Sequence, residues 1–137
     1  MKTYILDASF ILGALLRRDN RAAVRMAVIF KESADGKATI ISSPLLALEI
    51  ANGLRFTITD QNQAFVVLEK FVELPIKYQT LSGAEIKEML RLSYELGTTV
   101  YDCSYHLLAI IAGGVFITCD KEYYQKAKHL KHLELVA

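Results

Sequence analysis

The stretch YILDASFIL, residues 4–12, sets one carboxylate, Asp7, inside an otherwise uncharged apolar run. A lone buried carboxylate is costly unless it is paired, hydrogen-bonded or bound to a metal. The residues before it, Lys2–Leu6, read as a buried strand, so Asp7 stands at a strand's carboxyl end. The pattern returns late in the chain, where Val115–Thr118 reads as a strand and Asp120 follows Cys119. In open parallel α/β sheets, sites form in the crevice at the carboxyl ends of strands where the topology reverses. Two strand-end aspartates can share such a crevice. Each could equally be a helix N-cap, a common place for Asp.

Working outward, Ala38–Ser42 reads as another buried strand and Leu133–Val136 as a further one. Phe71–Ile76 is a helix end followed by a short strand. Ser43-Pro44 predicts a helix over about Pro44–Arg55, with serine as cap and proline at the first helical position. Asp60–Val72 carries Ala64, Leu68 and Phe71 at helical spacing. Ser82 and Glu85 form a capping-box pattern ahead of Ile86, Met89, Leu90 and Leu96, with Gly97 as terminator. Tyr101–Ala112 is helical in period and ends at Gly113-Gly114. Strands alternating with helices predict an α/β domain with a mainly parallel sheet.

At 137 residues, with 53% apolar and 23% charged positions, the chain is long enough for one substantial core and is not disordered in composition. No apolar run reaches the ~18 residues of a membrane span, and no signal-peptide pattern opens the chain. A cytosolic (cytoplasmic) protein is the expectation. A net charge of +1 argues against bulk electrostatic coating of nucleic acid. Local basic clusters remain: Arg17, Arg18, Arg21, Arg25 and Lys31, then Lys121, Lys126, Lys128 and Lys131. Each could be a phosphate-guiding rim or simply a solvated helix face. Cys103 and Cys119 form no CxxC pattern and read as reduced, semi-buried thiols. A soft zinc site using Cys103 and His106 is conceivable from proximity alone.

Two further acids are isolated. Glu49 is the only charge between Pro44 and Asn52, in a helix apolar almost all round. That pattern points it into a partly enclosed site, or into a buried salt bridge with Arg55 or another arginine. Asp102 is the only formally charged residue from Gly97 to Thr118 and lies near a helix start, where the dipole favours it. Asp7, Glu49, Asp102 and Asp120 thus punctuate four apolar segments. One shared cause covers all four: a hard divalent cation, Mg²⁺ or Mn²⁺, which takes oxygen ligands and keeps waters. Without such a counter-charge, clustered carboxylates raise one another's pKa values. Ser9 and Glu122 could hold waters around the ion.

These residues resemble a known family. YILDASFIL, SSPLLALEIANGL, VYDCSYHLLAI and FITCDKEYY stand in the order and at spacing similar to those of PIN-domain ribonucleases, most closely the VapC-like toxins of toxin–antitoxin pairs. The resemblance covers essentially the whole chain and implies a single PIN-like nuclease domain, 1–137. It also implies a three-layer α/β/α sandwich with a mainly parallel central sheet of four or five strands. Carried over residue by residue, it makes Asp7, Glu49, Asp102 and Asp120 the catalytic, metal-binding acids, with Ser9 and Glu122 in support. Cys103 departs from the alanine more usual there, and Cys119 stands at a variable position. Both place oxidisable thiols beside the acids.

The implied function is metal-dependent endoribonuclease, the toxin of a type II toxin–antitoxin system, with Mg²⁺ or Mn²⁺ as cofactor. The implied partners are an RNA substrate, a cognate antitoxin and a second copy in a homodimer. Two alternatives compete. One is a PIN scaffold that binds RNA or protein without cleaving. The other is a receiver-like phosphoacceptor domain, which would want paired acids near the first strand, where this chain offers only Asp7.

Overall fold

The structure, a computed structural model, describes residues 1–136. Five strands, β1 (Lys2–Leu6), β2 (Ala38–Ser42), β3 (Lys77–Tyr78), β4 (Val115–Thr118) and β5 (Leu133–Leu135), form one sheet. The spatial order is β3-β2-β1-β4-β5 and every pairing is parallel. The α/β expectation therefore holds, with five strands. The helices are α1 (Ala8–Leu15), α2 (Asn20–Ala34), α3 (Leu45–Thr57), α4 (Gln61–Val72), α5 (Gly83–Leu96), α6 (Val100–Ala112) and α7 (Lys121–Ala127). None is long and apolar enough to cross a membrane.

Strand order decides between two sequence readings. The chain steps from β1 to β2 to β3 in one direction, then crosses back over β1 to place β4 and β5 on the other side. Right-handed crossovers then carry α1 to α4 over one face and α5 to α7 over the other, giving three layers. A receiver-like domain has the flavodoxin-type order, in which the first strand is flanked by the second and third. Here β1 is flanked by β2 and β4, so the receiver alternative is excluded.

Both faces of the sheet are covered, and this explains why its strands read as apolar runs rather than as alternating ones. Ile5, Leu6, Ile40, Phe116 and Ile117 are all essentially buried. Phe10 and Ile11 of α1 and Leu46 and Ile50 of α3 fill one layer, and Tyr105 of α6 and Met89 of α5 fill the other.

The local signals work with small adjustments. Ser82 and Glu85 close the capping box in both directions, and Gly97 ends α5 in the left-handed conformation. Helix α3 starts one residue after Pro44, with the Ser43 hydroxyl accepting from the Leu45 N–H at 3.1 Å, and runs on to Thr57. In the segment 71–76 only the helix end is present; the short strand comes afterwards, at Lys77–Tyr78. Two residues suffice for an edge strand that pairs on one side only. Gly114 is required by packing: a Cβ there would lie 2.5 Å from the Thr3 carbonyl oxygen.

Candidate active site at the carboxyl end of the sheet

The site starts at the topological switch between β1 and β4. Register pairs Leu6 with Ile117, so the next residues, Asp7 and Thr118, come side by side. The Thr118 hydroxyl donates to Asp7 Oδ2 at 2.6 Å. The other oxygen, Oδ1, accepts from the Ser9 hydroxyl at 2.8 Å and from the Phe10 N–H at 2.9 Å. Asp7 is therefore the N-cap of α1, one of its two sequence readings, and it stands at the carboxyl end of β1. Its residue exposure is 6%. Burial pushes its pKa up to about 6, against the pull of those three donors, and the charge of Asp102 adds to the rise.

Asp120 repeats the arrangement on α7, accepting from the Tyr123 N–H at 3.0 Å. Its own N–H donates to Thr118 Oγ1 at 3.1 Å. The Thr118 side chain thus ties the two strand-end aspartates together. Sequence reading passed over Thr118. The signal was available in the strand-end pattern Thr-x-Asp, where a hydroxyl two residues ahead of an acid can reach the neighbouring strand.

Asp102 occupies the first turn of α6, where Thr99 is the cap and accepts the Asp102 N–H at 3.2 Å. Its carboxyl is held above the usual range, first by burial and then by the charges of Asp120, Glu49 and Glu122, with Thr99 opposing. Asp102, Asp120 and Glu122 line one cleft of about 270 Å³ with Thr98, Thr99 and Lys126. Lys126 pairs with Glu122 at 3.3 Å and donates to the Gly97 carbonyl at 3.1 Å. Glu122 is the most open of these acids, its side chain 81% exposed.

Glu49 enters from α3 on the opposite layer. Its Oε1 accepts from the Tyr105 hydroxyl at 2.7 Å. No basic residue pairs with it among the described residues, so the salt-bridge reading with Arg55 or another arginine does not apply. The apolar surround that singled it out is only partly enclosing, since Leu48 on the same helix is 69% exposed. Tyr105, like Thr118, was legible only as a core residue. Burial and the acids Glu49, Asp7 and Asp102 keep its hydroxyl firmly protonated.

The remaining sequence candidates separate. His106 is fully buried, with Nε2 2.7 Å from the Lys131 carbonyl and Nδ1 2.7 Å from the Tyr123 hydroxyl. A carbonyl only accepts, so Nε2 carries the proton and Nδ1 accepts from Tyr123. No lone pair is left for a metal, and the soft zinc site is ruled out. Burial and the charge of nearby Asp7 push the Cys119 thiol up to about 11, and burial also raises Cys103. Both are free thiols held in their unreactive form. Of the first basic cluster, Arg25 is taken by Glu134 at 2.8 and 3.0 Å and Lys31 by Asp35 at 3.0 Å.

Among the described residues, no three His, Cys, Asp or Glu side chains close into a ready metal shell. The donor chemistry nonetheless fits a hard cation: every available group is a carboxylate or hydroxyl oxygen. Mg²⁺ binds through one or two carboxylates and retains several waters, so an open, unclosed set suits it better than a dedicated cage.

This arrangement can be compared with known proteins. The PIN domain family matches residues 4–129. The chain belongs to the PIN domain family. PAE2754 from Pyrobaculum aerophilum, known from a crystal structure, is 25% identical, with a TM-score of 0.66 over 98% of this chain and 91% of that one. VapBC2 from Rickettsia felis, solved bound to a DNA fragment from their promoter, is 17% identical with a TM-score of 0.67, covering 97% and 96%. VapBC-1 from nontypeable Haemophilus influenzae is 16% identical with a TM-score of 0.65, covering 97% of each chain. At those identities the two VapBC likenesses speak for the fold of this PIN domain. No curated protein matched the sequence.

Proposed function

We propose that this PIN domain is a metal-dependent endoribonuclease that hydrolyses RNA phosphodiester bonds, and that it is the toxin of a type II toxin–antitoxin pair. One observation carries the reading. Asp7 and Asp120 follow neighbouring strands and are linked through Thr118, Asp102 lines a cleft with Asp120 and feels the charge of Glu49, and none of the four acids has a basic partner among the described residues. Capping accounts for Asp7 and Asp120 singly, but like charges left near one another are costly unless a cation is received between them.

Asp7, Glu49, Asp102 and Asp120 are the residues to hold Mg²⁺ or Mn²⁺, with Ser9 and Glu122 able to orient waters. When bound, such an ion lowers the pKa of water and stabilises charge on a phosphoryl group. The protein's own groups do the rest. Thr118, Ser9 and the Phe10 N–H fix the Asp7 carboxylate so that it cannot swing on catalysis. Asp102 and Asp120 line the same cleft, so both carboxylates can orient a water there. Lys126, on the wall of the same cleft, offers the sugar–phosphate backbone a positive contact.

Partner binding follows from the same surface. An antitoxin that inserts an arginine could engage these carboxylates in a bidentate fork. A groove of about 530 Å³ between α3 and α4, lined by Leu54, Arg55, Phe65 and Leu68, offers room for an apolar segment of that partner. Exposed apolar residues on α2 and α3, among them Val24, Val28, Leu48 and Phe56, are available for a homodimer contact. The similarity to two VapBC folds supports the antitoxin reading.

Purified protein incubated with RNA and Mn²⁺ should generate discrete internal cuts that EDTA and Asp102→Asn abolish. Cleavage that persists in EDTA, or at equal rate in the variant, refutes the proposal. Growth arrest on expression, relieved by a co-expressed neighbouring gene product, tests the toxin assignment separately.

A further inference from the structure

Glu49 differs from the other three acids in how it is held. Asp7 and Asp120 are N-caps whose carboxylates accept backbone N–H groups, and Asp102 lies in the first turn of α6 beside the Thr99 side chain. Glu49 sits mid-helix on α3, on a longer and freer side chain, with no such anchor. Its one recorded partner is the Tyr105 hydroxyl, 2.7 Å from Oε1 and reaching across from α6, in the opposite layer. The Tyr105 ring is itself immobilised, 1% exposed and stacked on Phe116 at 5.7 Å between centroids. We infer that Tyr105 is a positioning residue of the site: its hydroxyl clamps Glu49 Oε1 and so fixes the orientation in which the carboxylate meets a cation.

This deepens the metal-site reading above and rests on it. The clamp pre-organises Glu49 for ligation. A glutamate free to sample its rotamers loses that freedom on ligation, whereas a clamped one has already lost it on folding. Tyr105 is also the right kind of donor. Its protonated hydroxyl offsets the negative charge of Glu49 without adding a formal positive charge that would repel the ion. A lysine or arginine in its place would compete with the cation for the same carboxylate.

Manganese binding measured by calorimetry separates this role from simple core packing. Three variants are compared with the unaltered protein: Tyr105→Phe, Glu49→Gln and the double variant. Tyr105→Phe keeps the ring against Phe116 and so should keep the fold, checked by near-ultraviolet circular dichroism in EDTA. Its Mn²⁺ affinity should fall by about tenfold, with kcat on RNA reduced and KM for RNA unchanged. The double variant should bind no more weakly than Glu49→Gln alone, because Tyr105 acts only through Glu49. Losses that multiply in the double variant overturn the inference. So does unaltered Mn²⁺ affinity in Tyr105→Phe beside a weakened Glu49→Gln. Unaltered affinity in Glu49→Gln as well strikes at the metal site itself and overturns both readings.

Discussion

Asp7→Asn should make the metal-free protein more stable at neutral pH, and by an amount that grows with pH. The folded-state pKa of Asp7 is about 6 against an ordinary value of 3.8, chiefly because the group is buried. Below the lower value both folded and unfolded chains hold the proton, and the group costs nothing. Between the two, the folded chain retains a proton that the unfolded chain has released, so stability falls as pH rises. Above the upper value the loss is complete, and it amounts to about 3 kcal/mol. Asparagine has no charge to bury. Its carbonyl oxygen can still accept from the Phe10 N–H, and the Ser9 and Thr118 hydroxyls can rotate to suit the amide. Urea unfolding in EDTA, followed by circular dichroism from about pH 4 to about pH 7.5, reads the difference directly. The variant should lie within about 0.5 kcal/mol of the wild type at the acid end and exceed it by about 3 kcal/mol at the neutral end. Comparing the two proteins at each pH removes other titrations, such as that of His106, whose lowered pKa favours folding as pH rises. Added Mg²⁺ should narrow the gap by stabilising only the wild type. A difference that stays flat across the range, or a variant less stable at neutral pH, refutes the reasoning.

Two other substitutions test the scaffold. Gly114→Ala forces a methyl against the Thr3 carbonyl oxygen, which belongs to the central strand and cannot move aside; a loss of about 1–3 kcal/mol in urea unfolding is expected. His106→Leu leaves the Lys131 carbonyl and the Tyr123 hydroxyl without their shared partner, so it should cost about 2–4 kcal/mol while the purified wild-type protein shows no zinc by elemental analysis.

Most of the fold was legible because its signals are local. Strand–helix alternation, the Ser82–Glu85 box and Gly113 each depend on a few neighbouring residues, and each stands where it was expected. The isolated acids were legible for a related reason: a charge in an apolar segment needs an explanation that the segment itself cannot supply. What escaped depends on register and on contacts between layers. Thr118 became visible only once β1 and β4 paired with Leu6 opposite Ile117. Tyr105 and Glu49 are 56 positions apart and meet across the sheet's end. The α3 segment, apolar almost all round in sequence, is not buried all round: Leu48 and Phe56 are exposed, and Glu49 is half-buried. Sequence pattern records which residues shun water, not whether this chain alone hides them.

The turn around Gly36 offers a practical handle. It joins α2 to β2, Gly36 has φ +73°, and a side chain built there would meet nothing within 4 Å. Because every strand is parallel, this turn lies at the entry end of the sheet, separated from the acids by the five residues of β2, a rise of about 16 Å. A short flexible peptide inserted at Gly36 would therefore hang from the rear of the molecule. Such a graft could carry a fluorophore or tether the protein to a surface, with the front left open to long nucleic acids.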